Sequence, residues 1–184
     1  MTARSGTPLG TRRLTVAEYL ALPDPDDGQR YELVDGVVLV TPSPTFDHQW
    51  DSAQLHVQLF LASPPELRVL AAPFDVRLAD DTLVRPDLVV LRRRDVVDGR
   101  LTGIPLLAVE FLSPSTRGQD LLLKRARYAR AGIPSYWVVD PDTGEAVISE
   151  LDQQGRYVDV ARGRLRDADL SLDRPFPVTL RLTD

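Results

Sequence analysis

The chain has 184 residues and a formal net charge of −5, so its overall field does not hold it on nucleic acid, and any such contact needs a local basic patch. It has no cysteine and only two histidines, His48 and His56, which excludes a disulfide scaffold, a thiolate zinc site, a cysteine nucleophile and a three-histidine metal centre. No apolar run approaches the ~20 residues of a membrane span, and residues 1–10 lack the apolar stretch of a signal peptide; the expectation is a cytoplasmic protein with no membrane segment.

Residues 1–13 carry no periodicity and read as a loose tail. Thr15-Val16-Ala17-Glu18 has the form of a capping box and predicts a short helix to about Leu22. Tyr31–Val34 and Val37–Val40 flank Asp35-Gly36, the signature of a hairpin with a type I′ turn. A second helix is predicted from Thr45 to Leu61, with Leu55, Leu59 and Ala62 as its apolar stripe. Strands are expected at Leu67–Ala71, Phe74–Leu78 and Val84–Leu91, then a charged loop from Arg92 to Gly103 and a buried strand over Pro105–Leu112. An amphipathic helix over Gln119–Ala131 ends at Gly132 and Pro134. Ser135–Asp140, Glu145–Leu151 and Arg156–Ala161 read as a meander, followed by an extended piece at Pro177–Leu182. The pattern is a mixed α/β or α+β domain built on one sheet.

Two acids sit where apolar side chains are expected. Glu110 lies inside Leu106–Leu112, and Asp87 heads Leu88-Val89-Val90-Leu91 directly after Pro86. Burying a carboxylate costs several kcal/mol unless it is paired or binds a metal. A strand-entry cap for Asp87 and an arginine partner for Glu110 are the structural alternatives. The basic residues add a second signal: of 22, 21 are arginine, and Lys124 is the only lysine. Drift in a GC-rich genome accounts for the arginines, and chance or a need for a compact ammonium accounts equally for the exception. Asp120, Lys124 and Tyr128 share one helix face at i, i+4 and i+8. That helix can fold back to point Lys124 at Glu110. Two acids and a lysine at a strand edge form a metal-dependent phosphodiesterase arrangement. Mg²⁺ takes one or two carboxylates and completes its octahedron with waters and phosphate oxygens.

These segments, from about Leu14 to Tyr157, resemble the Uma-two family of restriction endonuclease domains, a branch of the PD-(D/E)XK nuclease superfamily. The carriers are Tyr31–Gly36, His48, Arg85–Val90, Val109–Thr116, Asp120, Lys124, Tyr128 and Gly132–Pro141. The resemblance implies a restriction-endonuclease-like α/β (α+β) fold over residues 14–184, with a central mixed β-sheet flanked by helices. It makes Pro86-Asp87 the "PD" and Glu110 the "(D/E)", both ligands of Mg²⁺ or Mn²⁺. The superfamily's lysine normally follows two residues after the acid, where this chain has Leu112; the resemblance moves it to Lys124. Glu32 matches a glutamate that joins such sites, and His48 a histidine at the head of the second helix, with helix capping or surface exposure as the competing readings. His56 reads as structural. Arg117, Arg125 and Arg127 are candidates for phosphate contacts. The implied activity is endonucleolytic hydrolysis of DNA by a homodimer. A catalytically silent nucleic-acid-binding or interaction module that keeps the fold is the alternative.

Overall fold

A computed structural model of the protein describes residues 12–23, 27–41, 43–113 and 120–183. Helix α1, Val16–Leu20, carries its expected capping box: the Glu18 N–H donates to the Thr15 hydroxyl, and the Thr15 N–H donates back to the Glu18 carboxylate. Strands β1, Arg30–Val34, and β2, Val37–Thr41, pair as the predicted hairpin. Asp35 and Gly36 take φ of 54° and 75°, as a type I′ turn demands. A Cβ on Gly36 would stand 2.6 Å from the Arg13 Cβ. Helix α2, Phe46–Ala62, starts at Thr45, whose hydroxyl accepts the His48 N–H.

The next strands depart from expectation. After β3, Leu67–Ala71, come β4, Val76–Ala79, β5, Thr82–Val84, and β6, Leu88–Arg92. The single strand expected over Val84–Leu91 is two, divided at Arg85-Pro86-Asp87. Pro86 has no N–H to continue a ladder. The break lets the chain change sheets, so the single sheet expected from the sequence is corrected to two principal ones. β5 stays with the hairpin in a four-stranded sheet ordered β2-β1-β5-β4, while β6 enters a six-stranded sheet.

The expected loop Arg92–Gly103 holds a 3₁₀ turn, Arg93–Asp95, and a small hairpin of β7, Val96–Val97, and β8, Arg100–Leu101. Strand β9 is Leu107–Phe111. The helix expected from Gln119 is a π-helical stretch, Asp120–Lys124, running into α3, Arg125–Ala131, which Gly132 ends at φ 79°. Strands β10, Ser135–Asp140, β11, Glu145–Leu151, and β12, Tyr157–Arg164, form the meander. A last pair, β13, Leu170–Leu172, and β14, Val178–Leu180, closes the fold.

The six-stranded sheet runs β12-β11-β10-β9-β6-β3. It is mixed: β9 and β10 are parallel, and the other neighbours antiparallel. Period-two alternation sends Leu88, Val90, Val109 and Phe111 to the face covered by Leu55 and Leu59 of α2 and by β14. Val89, Leu91, Ala108 and Leu112 face the opposite way, toward Tyr128 of α3 and Val34, Val76 and Val84 of the smaller sheet. β6 and β9 are therefore buried on both faces, as their apolar runs predict. No helix among the described residues is long and apolar enough to cross a membrane.

Candidate active site

The same alternation that buries Ala108 and Leu112 turns Glu110 toward α3. There two side chains one helical turn apart divide its carboxylate between them. The Tyr128 hydroxyl donates to Oε1 at 2.5 Å, and the Lys124 ammonium donates to Oε2 at 3.0 Å. Lys124 Nζ also lies 2.8 Å from Oε2 of Glu32, on β1. The other oxygen of Glu32 accepts the Arg85 N–H at 2.6 Å. Lys124 thus joins the smaller sheet to the larger one through two carboxylates, and all three residues are buried.

Asp87 sits at the chain's crossing between sheets. Its Oδ1 accepts from Arg30 Nη1 at 2.6 Å. Its Oδ2 accepts the Phe111 N–H at 2.8 Å and faces His48 Nε2 at 3.3 Å. Burial alone raises the Asp87 carboxyl; contact with His48 and the Arg30 charge outweigh it and hold it well below the usual carboxylate range. Tyr128 shifts the other way. Burial and the neighbouring Glu110 charge push its hydroxyl well above the usual value for tyrosine.

Glu32, His48, Asp87, Glu110 and Lys124, separated in sequence, line one cavity of about 340 Å³ together with Arg30. His48 is buried rather than on the surface, and Thr45 rather than His48 caps α2. The His48 Nδ1 atom has no hydrogen-bond partner among the described residues. His56 is structural as expected, its Nε2 being 3.3 Å from the Val69 carbonyl.

The arginines distribute differently. Arg125 is held by Ser149 at 2.7 Å and Asp159 at 2.8 Å, over the Tyr157 ring. Arg127 pairs with Asp35 in the hairpin turn. Neither lines the cavity. Arg117 lies outside the described residues. The residue missed from the sequence is Arg30. It heads the strand that carries Glu32 two positions on, so period two places both on one side; that spacing was the available signal.

Three carboxylates here face two permanent cations. Hard oxygen donors of this kind suit Mg²⁺ or Mn²⁺. No group of three or more His, Asp or Glu among the described residues is gathered closely enough to hold an ion alone.

A mixed sheet with one acid on a central strand and another at the entry to the strand beside it, faced by a helix with a buried lysine, defines a restriction-endonuclease-like fold of the nuclease class. The chain matches the Uma2 family, described as "Putative restriction endonuclease", over residues 16–183, and it belongs to that family. A solved structure with the same fold is that of "a putative nuclease belonging to DUF820" from Anabaena variabilis ATCC 29413. It has a TM-score of 0.70 and 17% identity, with 86% of this chain and 89% of that one covered. No curated protein matches the chain.

Proposed function

We propose that the protein is a Mg²⁺- or Mn²⁺-dependent endonuclease that hydrolyses phosphodiester bonds in DNA. The observation that carries this reading is the convergence of Glu32, Asp87 and Glu110 with the chain's single lysine on one cavity. Asp87 and Glu110 would hold the ion, which when bound polarises a phosphoryl oxygen and acidifies an attached water. Arg30, His48 and the Phe111 N–H orient Asp87. Tyr128 orients Glu110, and Glu32 holds the ammonium of Lys124 over it. Lys124 is placed to orient the attacking water and to stabilise charge developing on the phosphate. The partners in this reading are duplex DNA and a second copy of the chain, whose two cavities would serve the two strands.

The test is nicking of supercoiled plasmid by wild type and Asp87→Ala, with Mg²⁺, Mn²⁺ or EDTA. The expected result is nicking with the metals, none in EDTA, and a loss of at least ~10²-fold in the variant. DNA retention in a mobility-shift assay without cleavage under any metal supports the silent module instead. Cleavage of RNA alone removes DNA from the proposal.

A further inference from the structure

Helix α2 is apolar on two opposite sides. Its inner side, centred on Leu55 and Leu59, is buried in the core. Its outer side carries Phe46, Trp50, Ala53, Val57 and Phe60 at alternating spacings of four and three, with Leu61 beside the last. That spacing places them on one stripe. The large residues of the stripe are exposed: Phe46 78%, Trp50 45%, Val57 55%, Phe60 61% and Leu61 77%. Within the stripe Phe46 and Trp50 stack with ring planes 6° apart, and Trp50 Nε1 donates to the Thr183 carbonyl at 3.3 Å. A helix apolar on both sides is normally buried on both.

We propose that the outer face of α2 is the contact surface for a second copy of this chain, with two α2 helices packed antiparallel across a twofold axis near Ala53. The inference rests on the second copy named in the proposed function and supplies its surface. Three features select this occupant. First, the stripe is self-complementary. Reversing the helix about Ala53 sets Phe46 against Phe60 and brings Trp50 within one residue of Val57, while the small Ala53 meets its own counterpart where the helices cross. Second, the area fits. At about 150–250 Å² per aromatic side chain, these partial exposures with Val57 and Leu61 offer roughly 600 Å² per copy. Flanking glutamines extend that toward the ~800 Å² per partner of a standard interface. Third, the charge argues against the other surfaces. α2 contains no lysine or arginine, whereas a helix lying on lipid carries basic flanks and a nucleic-acid surface needs them.

Sedimentation and cysteine cross-linking test the surface. Wild type should sediment as a dimer, at twice 20.5 kDa. Val57→Glu should sediment as a monomer with unchanged far-UV circular dichroism. The chain has no cysteine, so Ala53→Cys introduces a single thiol beside the axis and should yield a disulfide-linked dimer on mild oxidation. Val158→Cys, on β12 and likewise exposed, should not. A monomeric wild type at about 100 μM, a Val57→Glu variant that remains a dimer, or cross-linking through Val158→Cys but not Ala53→Cys would overturn the inference. So would wild-type binding to phosphatidylglycerol–phosphatidylcholine vesicles that Val57→Glu abolishes. A monomer that still nicks plasmid in Mn²⁺ refutes the surface and leaves the nuclease reading standing; a dimer without cleavage does the reverse.

Discussion

Replacing Lys124 separates its two roles. Its ammonium lies 2.8 Å from Glu32 and 3.0 Å from Glu110, and only 4% of the residue is exposed. Lys124→Met keeps the stem and removes the charge, leaving two buried carboxylates facing one another. Removing one partner of a buried ion pair costs about 3–5 kcal/mol. For a domain of this size that lowers the melting temperature by roughly 6–20 °C. The cost should fall sharply in the Lys124→Met, Glu32→Gln double variant, because the two changes are coupled through one contact. Lys124→Arg keeps the charge but forces a longer planar head into the same gap, an overpacking cost of about 1–3 kcal/mol. Its donors are displaced, so nicking should drop by about 10²-fold, while Mn²⁺ affinity by calorimetry stays near wild type because lysine is not a ligand. Thermal melts beside a plasmid-nicking assay read both effects. A Lys124→Met protein melting with wild type would refute the structural reasoning. Full activity in Lys124→Arg would refute the catalytic reasoning and leave the lone lysine to chance.

Other outcomes follow from the same geometry. Arg30→Gln removes the cation 2.6 Å from Asp87 Oδ1; Mn²⁺ should then bind more tightly by calorimetry, and weaker binding would show that Arg30 does not compete with the ion. Tyr128→Phe loses a hydrogen bond to a charged group, about 1.5–3 kcal/mol at neutral pH. The raised Tyr128 hydroxyl contributes stability that is present below the unfolded value of about 10 and lost as pH rises toward the folded value. Denaturation between about pH 9 and 11 should therefore weaken wild type more steeply than Tyr128→Phe; equal slopes would contradict the assignment. Gly36→Ala meets both a positive φ and the Arg13 Cβ at 2.6 Å, and should cost more than ~1 kcal/mol in a chemical melt.

What the sequence disclosed depended on how local the cause was. The Thr15 capping box, the Asp35-Gly36 turn and the doubly buried β6 and β9 follow from residues within a few positions of each other, and each is present. The division at Pro86 was written in the chain, but a proline before an apolar run also reads as a simple strand start, and only the pairing of β5 with β1 distinguishes the two. The π-helical stretch at Asp120–Lys124 leaves no periodic signature over five residues. Arg30 meets Asp87 across 57 residues of sequence, a distance that no local pattern spans. The outer stripe of α2 was hidden for a different reason. Leu55 and Leu59 already account for an inward face, and further apolar residues around the same helix dilute periodicity instead of adding to it.

The geometry around its two cations explains why the site mixes residue types in a chain that otherwise uses arginine throughout. Arg30 has two acceptors on neighbouring groups, Asp87 Oδ1 at 2.6 Å and the Arg85 carbonyl at 2.7 Å. A forked guanidinium answers both with separate nitrogens. Lys124 instead lies between single oxygens of Glu32 and Glu110, contributed by strands of different sheets. A point charge bridges such a pair from one atom, whereas a planar fork needs its acceptors spread along one edge. Arg85 adds a structural tie of the same kind: its N–H fixes Glu32 while its carbonyl fixes Arg30. The peptide between Val84 and Asp87, where the chain leaves one sheet for the other, therefore sets the positions of both cations. A change in the geometry of that crossing would disturb Asp87 and Glu32 together. This links the strand break at Pro86 to the chemistry of the cavity.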